Sequence, residues 1–281
     1  MTGFTLATFL FALLFPQQST IEVEVNLVNI FVTVLDQEGL FIDDLDVDDF
    51  RVLEDGIEQA VEVFETEDVL TTGLGILVDN SGSSGSILRS VRSGVPEFVE
   101  SSRSSDDTFV MSFATGVRVI YDFEDSVGTL RPALNNLRPF GTSVLFDALL
   151  SGTRKIRDTS HDRQALIVLT DGNDNRSTRS YSDVVRTAES NMVLLYFIGI
   201  GPGILVDSHT LEGLASKTGG RVVLMGSEQS VPDALDEIRQ DLGRQYYLGY
   251  HASADTGYHT IEVQIPGRAA QVRAREGYRV D

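Results

Sequence analysis

The sequence predicts an α/β fold: a doubly wound, mostly parallel six-stranded sheet inserted into a small β sandwich built from the two ends of the chain. Two observations carry this expectation. Between Gly73 and Gly243, continuous apolar runs such as "LGILVD", "RQALIVLTDG" and "MVLLYFIGIG" alternate with amphipathic helical patterns. Parallel strands buried on both faces beneath covering helices produce that pattern. The segments on either side are β in character, and each holds too few strands to close a core alone. Together they are expected to complete one sandwich.

The elements follow in order. Phe4 to Phe15, "FTLATFLFALLF", is apolar and ends at Pro16. It is too short for a comfortable membrane span and fits the core of a signal peptide, although no Lys or Arg precedes it and no Ala-x-Ala pattern follows. Residues 1–18 therefore read as a signal peptide. That places the mature chain outside the cytoplasm, periplasmic or secreted, with no stable membrane span. A buried N-terminal strand or helix, or a trimmed start, is the competing reading. Ile21 to Leu35 has strand chemistry, and "FRVLEDGIEQAVEVFE" sets Asp55-Gly56 between two apolar runs as a hairpin turn.

From Gly73 the period changes. "LGILVD" leads into a helix with Ile87, Leu88, Val91, Val95, Phe98 and Val99 on one face. Two strands joined around Thr115-Gly116 follow, then helices in "SVGTLRPALNNL" and "SVLFDALLSGTRKI" and a buried strand ending on Asp171. "SYSDVVRTAESN" reads as a helix, "MVLLYFIGIG" as a strand, "HTLEGLASKTGG" as a helix closed by glycines, "RVVLM" as a short strand and "SVPDALDEIRQDLGRQ" as the last helix. From Tyr246, "YYLGYH", "YHTIEVQIP" and "AQVRAREGYRV" return to β. The expected division is 1–18 leader, 19–70 first part of the sandwich, 71–245 α/β domain and 246–281 second part of the sandwich.

Composition narrows the function classes. The formal charge of -20, from 22 Lys and Arg against 42 Asp and Glu, argues against nucleic acid, whose phosphates need basic clusters. Such acidity also serves solubility or a salty environment. Cysteine is absent, which excludes disulfides, a thiolate metal cage and a Cys nucleophile.

In an open parallel sheet, ligands bind beyond the carboxyl ends of the strands. Two strands here run into carboxylates, Asp79 and Asp171, and a third loop, "PFGTSVLFDAL", carries Thr142 behind Gly141. The spacing Asp79, Ser81, Ser83 turns alternate side chains of a tight loop towards one point. Hydroxyl and carboxylate oxygens suit a hard divalent cation such as Mg²⁺. With few charged ligands, that cation stays electrophilic and leaves room for an outside acidic ligand.

These residues resemble a known family, the von Willebrand factor type A domain with its metal-ion-dependent adhesion site (MIDAS). The family's Asp-x-Ser-x-Ser motif matches Asp79-Asn80-Ser81-Gly82-Ser83, its distal threonine matches Thr142 in "GTS", and its second aspartate matches Asp171 in "LTDG". The resemblance covers about Leu74 to Gly243. The flanks, with "DDFRVLEDG" before and "REGYRV" at the close, resemble a bacterial, often exported VWFA-related branch. The resemblance implies that Ser81, Ser83 and Thr142 contact Mg²⁺ or Mn²⁺, with Asp79 and Asp171 binding it directly or through water. It implies non-catalytic protein binding, in adhesion or assembly, to a partner that donates an Asp or Glu carboxylate. The expected strand order is 3-2-1-4-5-6 with one antiparallel edge strand.

Rival readings attach to the same residues. Asp79 to Ser83 also suits a helix N-cap, Asp171 a polar strand end, and Asn173 and Asp174 a solvated turn. Asp79 as the nucleophile of a haloacid-dehalogenase-like, metal-dependent phosphatase requires a second aspartate where Ser81 stands and a well-placed lysine, with only Lys155 and Lys217 to supply it. No Gly-x-Ser-x-Gly elbow surrounds Ser81, Ser83 or Ser84. His161, His209, His251 and His259 form no metal-binding pair at helical spacing. A scaffold that packs against partners without metal is the third class. The acidic run Asp43 to Asp49 lacks the glycine and glutamate of a calcium loop and reads as a capped turn before the Phe50 strand.

Overall fold

A computed structural model describes residues 27–280 except 67–69, 87, 202–205, 226–228 and 253–254. The leader reading, the strand residues expected before Leu27, and Ile87 fall outside the described residues.

The first segment supplies β1 (Leu27–Leu35), β2 (Arg51–Glu54), β3 (Ile57–Gln59) and β4 (Val63–Glu65). Asp55 and Gly56 both take positive φ, 50° and 80°, the two-residue turn whose twist matches an antiparallel hairpin. Before β2 the acidic run folds into a short 3₁₀ turn, Val47–Asp49. There the Asp49 carboxylate accepts the Asp46 amide at 2.9 Å, a capped turn as the sequence predicts.

The central segment alternates β5 (Thr72–Asp79), α1 (Leu88–Glu100), β6 (Asp107–Phe113), β7 (Val117–Tyr121), α2 (Leu130–Asn136) and α3 (Leu145–Ile156). It continues through β8 (Arg163–Thr170), α4 (Tyr181–Asn191), β9 (Leu194–Gly199), α5 (Ser208–Thr218), β10 (Val222–Leu224) and α6 (Val231–Leu242). The sheet order is β10-β9-β8-β5-β6-β7, which, read from the β7 edge, is 3-2-1-4-5-6 in order of appearance. Every pairing is parallel except that of the edge strand β7 with β6.

All eight residues of β5 are buried, because helices cover both faces. Leu74, Ile76 and Val78 pack with Leu88, Val91 and Val95 of α1 and with Leu235 and Ile238 of α6. Leu77, pointing the other way, joins Leu145, Ala148 and Leu149 of α3. Gly75 lies between them for a steric reason. A Cβ there would stand 2.4 Å from Phe109 and 2.5 Å from Leu166.

The sandwich is two four-stranded sheets, β13-β1-β11-β4 and β14-β12-β2-β3. β11 (Tyr246–His251), β12 (Gly257–Gln264), β13 (Gln271–Arg273) and β14 (Gly277–Val280) come from the far end of the chain. Both sheets therefore mix strands from before and after the α/β unit, and β4 lies against β11 with Glu65 opposite Tyr247. Val28, Ile30, Val32, Val34, Leu248 and Tyr250 of one sheet share a core with Val52, Ile261, Val263 and Tyr278 of the other.

Two sequence runs divide where one strand each was expected. "IEQAVEVFE" becomes β3 and β4 in different sheets, and "AQVRAREGYRV" becomes β13 and β14. At the second break Arg275 is 5% exposed. Its guanidinium donates to the carbonyls of Gly277 and Glu189, both at 2.9 Å, so the crossing is pinned to α4. Where the two units meet, Arg163 donates to Thr72 Oγ1 and to the Leu242 carbonyl and lies over the Phe31 ring. Buried Asp241 accepts from Tyr196 at 2.7 Å and from Arg273. Among the described residues no helix is long and apolar enough to cross a membrane.

Candidate metal centre

In the parallel register of β5 and β8, Val78 stands opposite Leu169. The next residues, Asp79 and Thr170, thus end their strands side by side at the carboxyl edge, and Asp171 opens the following loop. The strand stops at Thr170, one residue short of its expected end.

Asp79 is fully buried, and its oxygens are shared out. Oδ1 accepts the Ser81 amide at 2.8 Å. Oδ2 accepts the Thr170 hydroxyl at 2.8 Å and the Ser143 hydroxyl at 3.3 Å. Burial pushes the Asp79 carboxyl above the usual carboxylate range, hydrogen bonds from Ser81 and Thr170 oppose that rise, and the nearby Asp171 charge adds to it. Asp171 is 7% exposed, with Oδ1 accepting the Asn173 amide at 3.0 Å.

The loop after β5 presents Ser81 Oγ 3.1 Å from Ser83 Oγ and 3.3 Å from Ser84 Oγ. Ser81 is buried and Ser83 exposed. The Thr142 loop is tied to this one from both sides: the Gly82 amide donates to the Gly141 carbonyl at 3.3 Å, and the Phe140 amide to the Asn80 carbonyl at 3.0 Å. Gly141 takes φ 70°, and a Cβ there would lie 2.6 Å from Thr115, so this tight approach needs glycine. Thr142 Oγ1 is buried with no hydrogen-bond partner. Its neighbour Ser143 is held by Asn175, whose Oδ1 accepts the Ser143 amide at 2.9 Å.

The three loops that carry Asp79, Ser81 and Ser83, Thr142, and Asp171 thus lie together at the carboxyl edge of the sheet. Sequence reasoning missed Asn80, Ser84, Ser143 and Thr170. Asn80 is a staple, its Nδ2 donating to the Arg138 carbonyl at 3.0 Å. Asp174, read as part of a solvated turn, instead accepts the Phe146 amide at 2.9 Å and so holds the first turn of α3.

A buried hydroxyl without a partner, such as that of Thr142, is costly unless a ligand completes it. The donor set of carboxylate and hydroxyl oxygens, without nitrogen or sulfur, fits Mg²⁺ or Mn²⁺. A second group, Glu54, Asp55 and His259, also brings potential ligand atoms within 4.8 Å of one another. There His259 Nδ1 faces Asp55 Oδ2 at 2.8 Å and Nε2 faces the Asp255 carbonyl at 3.0 Å. Two acceptors suit an imidazolium with both nitrogens protonated, and the Asp55 carboxylate raises the His259 pKa. That leaves no lone pair for a metal, so this group reads as an ion pair locking the β2–β3 turn.

Comparison with known proteins agrees with the architecture. The family model of the von Willebrand factor type A domain matches residues 74–239. A von Willebrand factor type A structure from Catenulispora acidiphila superposes with a TM-score of 0.53 at 13% identity, covering 91% of this chain and 74% of that one. Proximal thread matrix protein 1 from the mussel byssus, solved with a zinc-occupied MIDAS motif, gives 0.53 at 15% identity and covers 67% and 49%. An aerotolerance-related membrane protein from Bacteroides fragilis gives 0.50 at 13%, covering 61% and 98%. At such identities the likeness is one of fold. No curated protein matches the chain. The match spans more than half of the sequence, and the six-stranded order with its antiparallel edge agrees with it: the chain belongs to the von Willebrand factor type A domain family.

Proposed function

We propose that this protein is a non-catalytic, divalent-cation-dependent protein-binding module, acting in adhesion or assembly outside the cytoplasm. Type A domains are in general interaction modules rather than enzymes. The observation that carries the reading is the orphaned Thr142 hydroxyl, set in the loop hydrogen-bonded to the Asp79–Ser83 loop. In this proposal Asp79 and Asp171 supply negative charge, and Ser81, Ser83 and Thr142 supply hydroxyl oxygens to Mg²⁺ or Mn²⁺. A bound cation supplies a Lewis acid that an Asp or Glu carboxylate of the partner can join. The chain's own task is to hold the oxygens in place, which the bonds from Thr170, Ser143, Asn80 and Asn175 do before any ligand arrives.

The phosphatase alternative lacks its cation. Lys155 pairs with Asp122 at 2.7 Å and Lys217 with Glu276, so both lysines are engaged away from Asp79. We also propose that residues 19–70 and 246–281 form the sandwich, 71–245 the binding domain and 1–18 a leader. The test is a crystal soaked in Mn²⁺ and measured for anomalous scattering. A peak among Asp79, Ser81, Ser83, Thr142 and Asp171 is expected. A peak elsewhere, or partner binding that persists unchanged in EDTA, overturns the reading in favour of a metal-independent scaffold.

A further inference from the structure

The surface between α3 and α4 gathers arginines on a chain whose net charge is -20. A depression of about 500 Å³ lies between the two helices, with Arg154, Arg157, Arg179 and Arg186 on its walls. A second one, of about 390 Å³, shares Arg157 and Arg186 and adds Arg279 of β14. Five arginines of a chain with only 22 basic residues and a net charge of -20 therefore line one continuous groove.

The acids within it are already satisfied. Asp147 accepts from the Thr178 amide at 3.0 Å and the Arg179 amide at 3.1 Å. Asp183 accepts from the Ser180 amide at 2.9 Å and from Arg186 at 2.7 Å. Arg279 is paired with Glu189. The side chains of Arg154, Arg157 and Arg179 make no ion pair or hydrogen bond among the described residues.

We propose that this groove is a docking site for an extended acidic segment of a partner protein, separate from the candidate metal centre. Unpaired guanidinium groups offer planar forks that match carboxylates bidentately, and an excess of one sign on the walls concentrates an oppositely charged ligand. From Asp147 to Arg157 the groove follows α3 for ~15 Å at the helical rise. That length takes four or five extended residues at ~3.3 Å each. A long nucleic acid is a poor occupant, because its phosphates would run on over an acidic surface. A short acidic stretch ends within the groove, where five arginines outnumber Asp147 and Asp183.

The experiment uses the full chain in EDTA at low salt, so that the metal centre contributes nothing. The probe is a fluorescein-labelled peptide of six alternating Asp and Glu residues, followed by anisotropy. The triple variant R154Q/R157Q/R179Q is expected to bind roughly tenfold or more weakly, while Arg118→Gln, at an exposed arginine of β7 outside the groove, binds as the wild type does. The side chains of these arginines make no ion pair or hydrogen bond among the described residues, so the triple variant should melt with the wild type. Amide chemical-shift changes on peptide addition should fall on α3 and α4. Affinity unchanged in the triple variant, shifts confined to other elements, or a duplex oligonucleotide binding as tightly as the peptide would overturn the proposal.

Discussion

Replacing Thr142 with valine tests the metal centre through stability alone. Valine keeps the shape of threonine and removes the one hydroxyl in these loops that is buried without a partner. An unsatisfied buried polar group costs about 1–3 kcal/mol. In EDTA, Thr142→Val should therefore stabilise the chain by about that amount. At ~2–4 °C per kcal/mol for a chain of this size, the melting temperature should rise by at least ~2 °C. Cation changes the comparison. At a hundredfold excess over Kd a ligand that binds only the folded state adds about 2.7 kcal/mol, and at tenfold excess about 1.4 kcal/mol. If the variant loses a factor of ten in affinity through the missing oxygen, its gain from the same Mg²⁺ concentration falls by half. Calorimetry of both proteins, in EDTA and with Mg²⁺ titrated in, reads both effects. A variant less stable than wild type in EDTA would show that the hydroxyl is already satisfied. Equal gains from Mg²⁺ would show that it is not a ligand.

The remaining expectations concern the fold around that site. Gly75→Ala pushes a methyl group against Phe109 and Leu166 at 2.4 and 2.5 Å and should cost about 1–3 kcal/mol in urea denaturation; a cost near zero would show that β5 has room to shift. The hydrogen bond from the Ser180 amide, with help from the Ser180 hydroxyl and Arg186, holds Asp183 down at about 2 against an ordinary 3.8. Its stabilising contribution is complete above the unfolded value and is lost as pH falls from 3.8 through 2. Denaturation midpoints of wild type and Asp183→Asn should converge across that window, and a constant gap would refute the assignment. His259 is raised above 6.5 by Asp55, so its contribution is present below 6.5 and is lost as pH climbs through the higher folded value. His259→Gln should abolish that alkaline loss in a pH series of melting temperatures. Removing residues 246–281 takes away β11, β12, β13 and β14 and bares Val28, Ile30 and Val32 of β1. Light scattering should then report aggregation.

What the sequence makes legible follows the range of the interaction. β5, β8 and β9 are legible because burial on both faces demands unbroken apolar runs, and the face of α1 because Leu88, Val91, Val95, Phe98 and Val99 recur at helical spacing. The Asp79–Ser83 loop is local, Asp171 is proposed from the rule that ligands gather at carboxyl ends of strands, and Thr142 from the resemblance of "GTS" to the family's distal threonine. The supporting groups were not legible, since each acts across a long stretch of chain. Ser143 and Thr170 reach an oxygen 64 and 91 residues away, and nothing in a hydroxyl announces its acceptor. The same holds for Asp55 and His259, 204 residues apart. The splitting of "IEQAVEVFE" escaped notice because alternation marks a strand without saying which sheet receives it. Nothing local in "AQVRAREGYRV" marks Arg275 as buried, and only its contact with α4 explains why the strand breaks there.

The pairing of β4 with β11 gives the molecule the character of a plug and socket. The chain leaves the sandwich after Glu65 and re-enters at Tyr246, with Tyr247 facing Glu65 across the ladder, so the two leads of the inserted unit run side by side. A tight turn between those two strands would close the sandwich without the intervening residues, just as a hairpin closes two neighbouring strands. Such wiring lets one cassette be exchanged for another during evolution or in the laboratory while the frame is left whole. It also sets a mechanical rule. A pull on the inserted unit reaches the frame through two adjacent strands, and their ladder is the seam along which the frame would first be unzipped.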